Sequence, residues 1–313
     1  MKTVRLIARL DAKGPNLVKG ICLEGFRVLG LPEDFAAIYD AEGIDEVVYV
    51  DAVASLYRRR PRLDVIRRVA GRLSVPLTVI GGIGTVEDIR AVLASGADKV
   101  GINTAGIERP ELFAEAAALF GSQCVVCSIE AFRHPDGRYE CWTRTGRELT
   151  GIDPMDFATQ AIRNGAGEIL LTSIDREGTG RGFDIELTRR LSGLPVPVIA
   201  CGGAGQPEHF FAAVHDGRAD AVAAASVFHY KYARAVDRHY MSFDEPRLRA
   251  GRDIDAGNVQ FLNWGYGGLR DLMVSPHSVA AVKEFLIARG IGVRPPFETA
   301  IQEDDIHPPA REA

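Results

Sequence analysis

From residue 3 to about residue 228, short apolar runs rich in β-branched residues alternate with longer stretches whose apolar positions recur at helical spacing. The apolar runs are 4–10, 46–52, 76–82, 98–104, 124–130, 168–173, 197–203 and 220–226, and their length and Val/Ile content predict strands. The stretches between them, 32–43, 61–73, 85–96, 110–121, 154–165, 185–193 and 207–217, predict helices. Several open on Pro and close on Gly, as with Pro32 and Gly43 or Pro154 and Gly165. Pro fits the first helical turn, and Gly accepts the left-handed backbone just past the last. Strands and helices alternating in this way build parallel βαβ units. Eight strands predict closure, an α/β fold of the (β/α)8 TIM-barrel type. The alternation then breaks: residues 229–278, rich in Arg, Tyr, Asp and Gly, precede a last helix at 279–286. The reading is one barrel domain over 1–294 that carries an insertion at about 229–278, followed by a polar, Pro-rich and flexible tail at 295–313.

The two halves of the pattern echo each other. Arg67 and Arg189, Asp98 and Asp220, and Glu46 and Glu168 are each 122 positions apart within similar local sequence. The glycine pairs Gly81-Gly82 and Gly202-Gly203 follow matching strands, and Asp11 and Glu130, 119 positions apart, each close an apolar run. Self-similarity at a fixed offset predicts a barrel made of two duplicated half-barrels, which makes Asp11 and Glu130 equivalents.

Composition narrows the setting. A formal net charge of −5 and a pI near 5.9 argue against a nucleic-acid surface, which shows basic clustering. The densest basic cluster, Arg58-Arg59-Arg60 with Arg62, is short and reads as a solvated loop or a phosphate contact. The five cysteines, Cys22, Cys124, Cys127, Cys141 and Cys201, lie mostly in apolar runs and read as small core residues of a reducing, cytoplasmic protein. Cys124 and Cys127 have CxxC spacing, but a strand turns those two thiols to opposite faces. No uncharged apolar run approaches the roughly 18 residues of a membrane span, and the N-terminal residues show no signal-peptide pattern.

Strand ends carry the candidate chemistry. A barrel gathers its reactive groups at the C-terminal face, so Asp11 and Glu130 are a candidate acid/base pair. Gly82 with Asn103 and Thr104, and Gly202 and Gly203 with Ala225 and Ser226, form two similar glycine-turn sites. Glycines let backbone N–H groups approach an anion closely, with a helix N-terminus behind. Two such sites across one mouth suit a substrate with a phosphate at each end. At the opposite face Arg5, Glu46, Lys99 and Glu168 start strands, and strand parity turns Arg5 and Lys99 inward. They read either as a self-compensating floor ring or as a solvated rim. Lys19, on a loop after the first strand, and Asp51 and Thr172, at inner strand ends, could meet an anionic substrate.

With these residues placed, the chain resembles the cyclase subunit of imidazole glycerol phosphate synthase, the histidine-pathway barrel, from about residue 4 to 228 and again at 279–293. The most specific stretches are Ala97-Asp98-Lys99-Val100-Gly101-Ile102-Asn103-Thr104, Phe120-Gly121-Ser122-Gln123-Cys124, the run from Gly165 to Arg176, and Gly202-Gly203-Ala204-Gly205. The resemblance implies that a glutaminase partner at the barrel floor supplies ammonia through the ring of Arg5, Glu46, Lys99 and Glu168, with Asp98 facing the partner. Ammonia then meets a bisphosphorylated ribulosyl aminoimidazole carboxamide substrate at the top, where Asp11 and Glu130 shuttle protons. Imidazole glycerol phosphate and an aminoimidazole carboxamide ribotide are the products, and no cofactor or metal is called for. Four positions depart from the family pattern. Glu130 stands where the family has an aspartate, and Arg9 where it has a small residue. Glu177, before Gly178, lengthens the family's acidic residue there, and the 229–278 insertion leaves from strand 8. Parity points Arg9 inward below Asp11, where it needs Asp11 or Glu130 as partner.

Other functions compete with this one. A paralogue could deliver ammonia to another substrate, such as an amidino-modified surface sugar. A catalytically weak scaffold could only activate a glutaminase. The sibling isomerase barrel of the same pathway needs neither the Lys99 ring nor a partner.

Overall fold

Twelve strands organise the described chain: β1 (Arg5–Lys13), β2 (Asn16–Ile21), β3 (Glu24–Gly30), β4 (Glu46–Asp51), β5 (Leu77–Ile80), β6 (Lys99–Ile102), β7 (Val125–Arg133), β8 (Tyr139–Thr143), β9 (Glu148–Leu149), β10 (Glu168–Ser173), β11 (Val198–Cys201) and β12 (Ala221–Ala224). Eight of them, β1, β4, β5, β6, β7, β10, β11 and β12, pair in parallel around a closed circuit, with β7 against β10 completing it. The computed structural model describes residues 3–240 and 273–296. All eight expected strands are present, and β5 and β11 are shorter than expected because the positive-φ glycines Gly81 and Gly202 end them.

The helices are α1 (Pro32–Ala41), α2 (Leu63–Ala70), α3 (Val86–Leu93), α4 (Thr104–Glu108), α5 (Glu111–Phe120), α6 (Pro154–Arg163), α7 (Ile185–Leu191), α8 (Pro207–His215), α9 (Ser226–Tyr240) and α10 (Val279–Ile287). Their starts are written locally. Thr85 and Asp88 cap α3 reciprocally, and the side chains of Asp153, Asp184 and Ser278 cap α6, α7 and α10. Each cap satisfies a backbone N–H that has no partner inside the helix.

Strand alternation divides the core in two. Leu6, Ala8 and Leu10 of β1 turn outward and pack with helix residues such as Phe35, Tyr39 and Phe228. Ile7 turns inward with Val48, Val126, Leu170, Ile199 and Ala221, forming a separate plug inside the barrel. A fully buried aliphatic side chain contributes about 1.5–3 kcal/mol, so both layers stabilise the closed circuit. His229 of α9 is wholly buried in the outer layer, 2.6 Å from the Tyr39 hydroxyl. Burial, with Lys19 nearby, pushes its imidazole down to about 3, so it sits there neutral. On the last helix Lys283 is also fully buried and binds Asp45 Oδ1 at 2.7 Å and the Gly43 carbonyl at 2.6 Å. Val4 N–H donates to the Gly292 carbonyl at 2.7 Å, tying the chain end to the barrel floor.

Three local expectations change. Asp11 and Glu130 do not close their strands: β1 runs on to Lys13 and pairs antiparallel with β2, and β7 runs on to Arg133 and pairs with β8. The hairpins β2–β3 and β8–β9 follow barrel strands 1 and 5, and hairpin pairing supplies hydrogen bonds that prolong both strands beyond the barrel wall. Secondly, α9 continues straight from the last strand, so residues 229–240 are helix rather than the start of an irregular excursion. The rest of the expected insertion, 241–272, and most of the expected tail, 297–313, lie outside the described residues. Thirdly, Cys124 ends a 3-10 turn (Ser122–Cys124) before β7 begins, so the two CxxC thiols do not share a strand. All five cysteines are free.

Candidate active site

The floor of the barrel holds a closed ring of charge. Arg5 Nη1 meets Glu46 Oε2 at 2.5 Å, and Arg5 also binds Glu168. Lys99 Nζ lies 3.0 Å from Glu46 Oε2 and 2.8 Å from Glu168 Oε2. Thr78 Oγ1 donates to Glu46 Oε1 at 2.7 Å. Each cation therefore bridges both carboxylates, and the four formal charges cancel. Burial works against the Arg5 charge, but the Glu168 and Glu46 carboxylates hold its pKa above the usual value. Of the two readings open from sequence, the mutually paired ring is the one present. Asp98 is exposed at the same end, one residue before β6, and its Oδ2 accepts from the Leu77 amide at 2.8 Å.

The opposite mouth gathers most of the other expected residues. Asp11 is buried on β1 beside Arg9, whose Nε donates to Asp11 Oδ1 at 2.8 Å. Arg9 is interior, as parity predicts, and its Nη1 donates to Thr172 Oγ1 at 2.8 Å and reaches Cys201 Sγ at 3.5 Å. Lys19 departs from expectation. It lies in β2 rather than on an open loop, is 3% exposed, binds Glu177 and stands 4.0 Å from Asp11 Oδ2. A buried ammonium needs such partners, and they hold its pKa above normal although burial alone would lower it.

Glu130 has a different environment. It lines a cavity of about 460 Å³ with Asp51, Gly82, Asn103 and Thr104. Its Oε2 accepts the Gly146 amide at 2.9 Å. Burial pushes the Glu130 carboxyl up to about 7, while Gly146 and Arg9 pull it down and Asp11 pushes it further up. Asp51 is held by Arg59 at 2.7 Å. Asn103 Nδ2 donates to the Ser128 carbonyl at 3.0 Å, and Thr104 Oγ1 accepts from the Arg144 amide at 3.2 Å. At Gly82 an added Cβ would come within 2.7 Å of the Arg59 carbonyl, and φ there is +73°, so that turn requires glycine.

The second glycine site lies across the mouth. Gly203, with φ +101°, would place a Cβ 2.1 Å from the Gly182 carbonyl, and Gly202 packs on Ser173. Gly178 is also tight, a Cβ there lying 2.5 Å from the Gly20 carbonyl, which brings Glu177 beside the β2–β3 hairpin. Ala225 and Ser226 follow β12, and Ser226 opens α9. The Ser226 hydroxyl is buried beside Tyr230.

Sequence reasoning missed the parts of the mouth made by long-range contact. The turn after β8 carries Arg144, Thr145 and Gly146, all three with positive φ. Thr145 Oγ1 donates to the Ala52 carbonyl at 2.7 Å, and Arg147 pairs with Glu24 at the tip of the β2–β3 hairpin. Only Gly146 in a polar stretch signalled that turn. Arg59 was visible just as part of a basic run, its role as the partner of Asp51 depending on the fold.

Known proteins align with this architecture. The family described as histidine biosynthesis protein matches residues 5–234. The imidazole glycerol phosphate synthase subunit HisF of Legionella pneumophila is 53% identical over 211 residues, 67% of this chain and the whole of that protein. Those of Geobacillus kaustophilus and Bacillus licheniformis are 48% and 47% identical over 233 residues, 74% of this chain and 92% of each relative. With the barrel closed and about half the aligned residues shared, this chain belongs to the histidine biosynthesis protein family, among the HisF subunits of imidazole glycerol phosphate synthase.

Proposed function

We propose that the chain is the ammonia-using cyclase of imidazole glycerol phosphate synthase in histidine biosynthesis, a carbon–nitrogen lyase of the cytoplasm. It converts a bisphosphorylated ribulosyl aminoimidazole carboxamide ribotide into imidazole glycerol phosphate and aminoimidazole carboxamide ribotide. The observation that carries the reading is the convergence of Asp11 and Glu130 at one mouth, with a glycine-turn site on either side. Gly82, Asn103 and Thr104, near Asp51, take one phosphate, and Gly178, Gly202, Gly203, Ala225 and Ser226 take the other. Lys19, Thr172 and Glu177 set the electrostatics between them. The floor ring of Arg5, Glu46, Lys99 and Glu168 admits ammonia from a glutaminase subunit docked at the N-terminal face, where Asp98 is exposed. No step is assigned to a metal or cofactor.

Ammonia adding to a carbonyl carbon forms the C–N bond. Two protons then pass from nitrogen to the oxygen, which leaves as water. A carboxyl that titrates near neutrality can give and take each proton in turn and end unchanged. Purified protein given ammonium salts should therefore turn over the bisphosphorylated substrate, and Asp11→Asn, which leaves the buried Arg9 guanidinium without its anion at the mouth, should cut the rate by about a hundredfold or more. No turnover with ammonia, while a glutaminase still responds to the barrel, would favour an activating scaffold. Ammonia-dependent modification of a nucleotide sugar instead would favour the surface-sugar paralogue.

A further inference from the structure

Arg9 treats the two mouth carboxylates unequally. Its side chain, 4% exposed, leaves β1 into the barrel and crosses past β12 to Thr172 on β10 and Cys201 on β11. On the way its Nε fixes one oxygen of Asp11. The other oxygen of Asp11 accepts no hydrogen bond among the described residues and lies 4.0 Å from Lys19, a cation that is itself tied to Glu177. Asp11 is thus enclosed between two cations, each with a further anchor in a different strand or loop. Among the described residues Glu130 has no such clasp: the one hydrogen bond to its side chain comes from the Gly146 amide, and that side chain opens on the cavity.

We propose that Arg9 is a positioning residue that locks Asp11 into a fixed ion pair and leaves Glu130 as the carboxyl that exchanges protons at the mouth. The assignment rests on the ammonia-dependent reading above for the reaction it serves, but its geometry does not. Arg9 and Asp11 form a buried pair, in which either group without the other would be an uncompensated charge. A proton on Glu130 disturbs only one amide contact. The planar fork of arginine suits the role, since it holds Asp11 through one nitrogen while another reaches across the barrel. Arg9 also acts on Glu130 from a distance, because a nearby cation favours the ionised carboxylate.

The charges that face Glu130 come from several elements. They are Arg9 and Asp11 from β1, the Asp51–Arg59 pair from β4 and the loop after it, Arg58 and the Arg60–Asp88 pair beyond, and the Arg144–Glu108 pair. Apart from Arg58, the more distant charges are matched in pairs, so Arg9 and Asp11 are the ones a substitution should make felt.

The test is ammonia-dependent turnover against pH for the full chain in complex with its glutaminase, comparing wild type, Arg9→Gln and Arg9→Lys. It is joined to a carbon-13 carboxyl NMR titration in which Glu130 is assigned by its loss in Glu130→Gln. Arg9→Gln should lower kcat about tenfold with KM much less changed, and should move both the pH inflection and the Glu130 titration upward by about one pH unit. Arg9→Lys, which keeps the charge without the fork, should restore the position of the profile more than the rate. A folded Arg9→Gln protein whose profile and titration stay in place would overturn the proposal. Should Arg9→Gln not fold, the wild-type titration decides: a Glu130 carboxyl titrating at the ordinary value near 4.5 overturns it as well. A wild type inert toward the substrate, yet with the expected NMR shifts between variants, would support the division of the carboxylates and count against the substrate alone.

Discussion

At the scale of single residues, one carboxyl and one guanidinium govern the electrostatics of this mouth. Glu130 carries its carboxyl to the edge of a cavity where burial raises it to about 7. Between its ordinary value of 4.5 and about 7 the native chain binds a proton that the unfolded chain has already released. Stability therefore falls as the pH rises through that window and levels off above it. Glu130→Gln does not titrate, so it should gain on wild type through the same window, reaching on the order of 1–3 kcal/mol by about pH 8. Denaturant midpoints at several pH values would show this, and a difference independent of pH would refute it. Inward-pointing Arg9 was legible from strand parity alone. Its choice of Asp11 over Glu130 was not, because that depends on where the Gly146 turn places a competing donor.

At the scale of elements, close packing between neighbouring strands limits what the interior accepts. An added Cβ at Gly101 of β6 would lie 2.5 Å from Ile80 Cγ1 on β5, so the isoleucine occupies the space that the glycine leaves. Gly101→Ala should cost about 1–3 kcal/mol by overpacking. In an Ile80→Ala background the same change should cost much less, since the obstructing atoms are gone. A double-mutant cycle on unfolding free energies reads the coupling, and additive costs would show that the contact does not decide the site. The hairpins teach a related lesson. Lys19 was expected on an open loop but lies in β2, because its burial comes from Glu177, 158 positions away.

At the scale of the whole molecule, closure depends on the chain ends meeting the floor. Lys283 of α10, fully buried, reaches Asp45, whose other oxygen accepts the Leu6 amide of β1 at 2.8 Å. Arg294 joins the same carboxylate at 2.8 Å. The last helix is thereby fastened to the first strand beneath the charged ring. Lys283→Met removes one partner of a buried pair and should destabilise the barrel by about 3 kcal/mol, at the low end for such a loss because Arg294 remains. Equilibrium urea unfolding would show it as a lower midpoint with an unchanged slope, and an unaltered midpoint would rule out this role for the helix.

The sequence by itself determined the eight-strand alternation, the helix starts and stops, the inward parity of Arg5, Arg9, Asp11 and Lys99, and the glycine turns. These follow from period, capping and backbone conformation, which are properties of a few neighbouring residues. Only the tertiary structure decided which inward charge pairs with which, that Asp11 is enclosed and Glu130 faces a cavity, and that hairpins prolong the two strands bearing them. Ion pairing and desolvation act between residues far apart in the chain, and their outcome exists only once the barrel has closed.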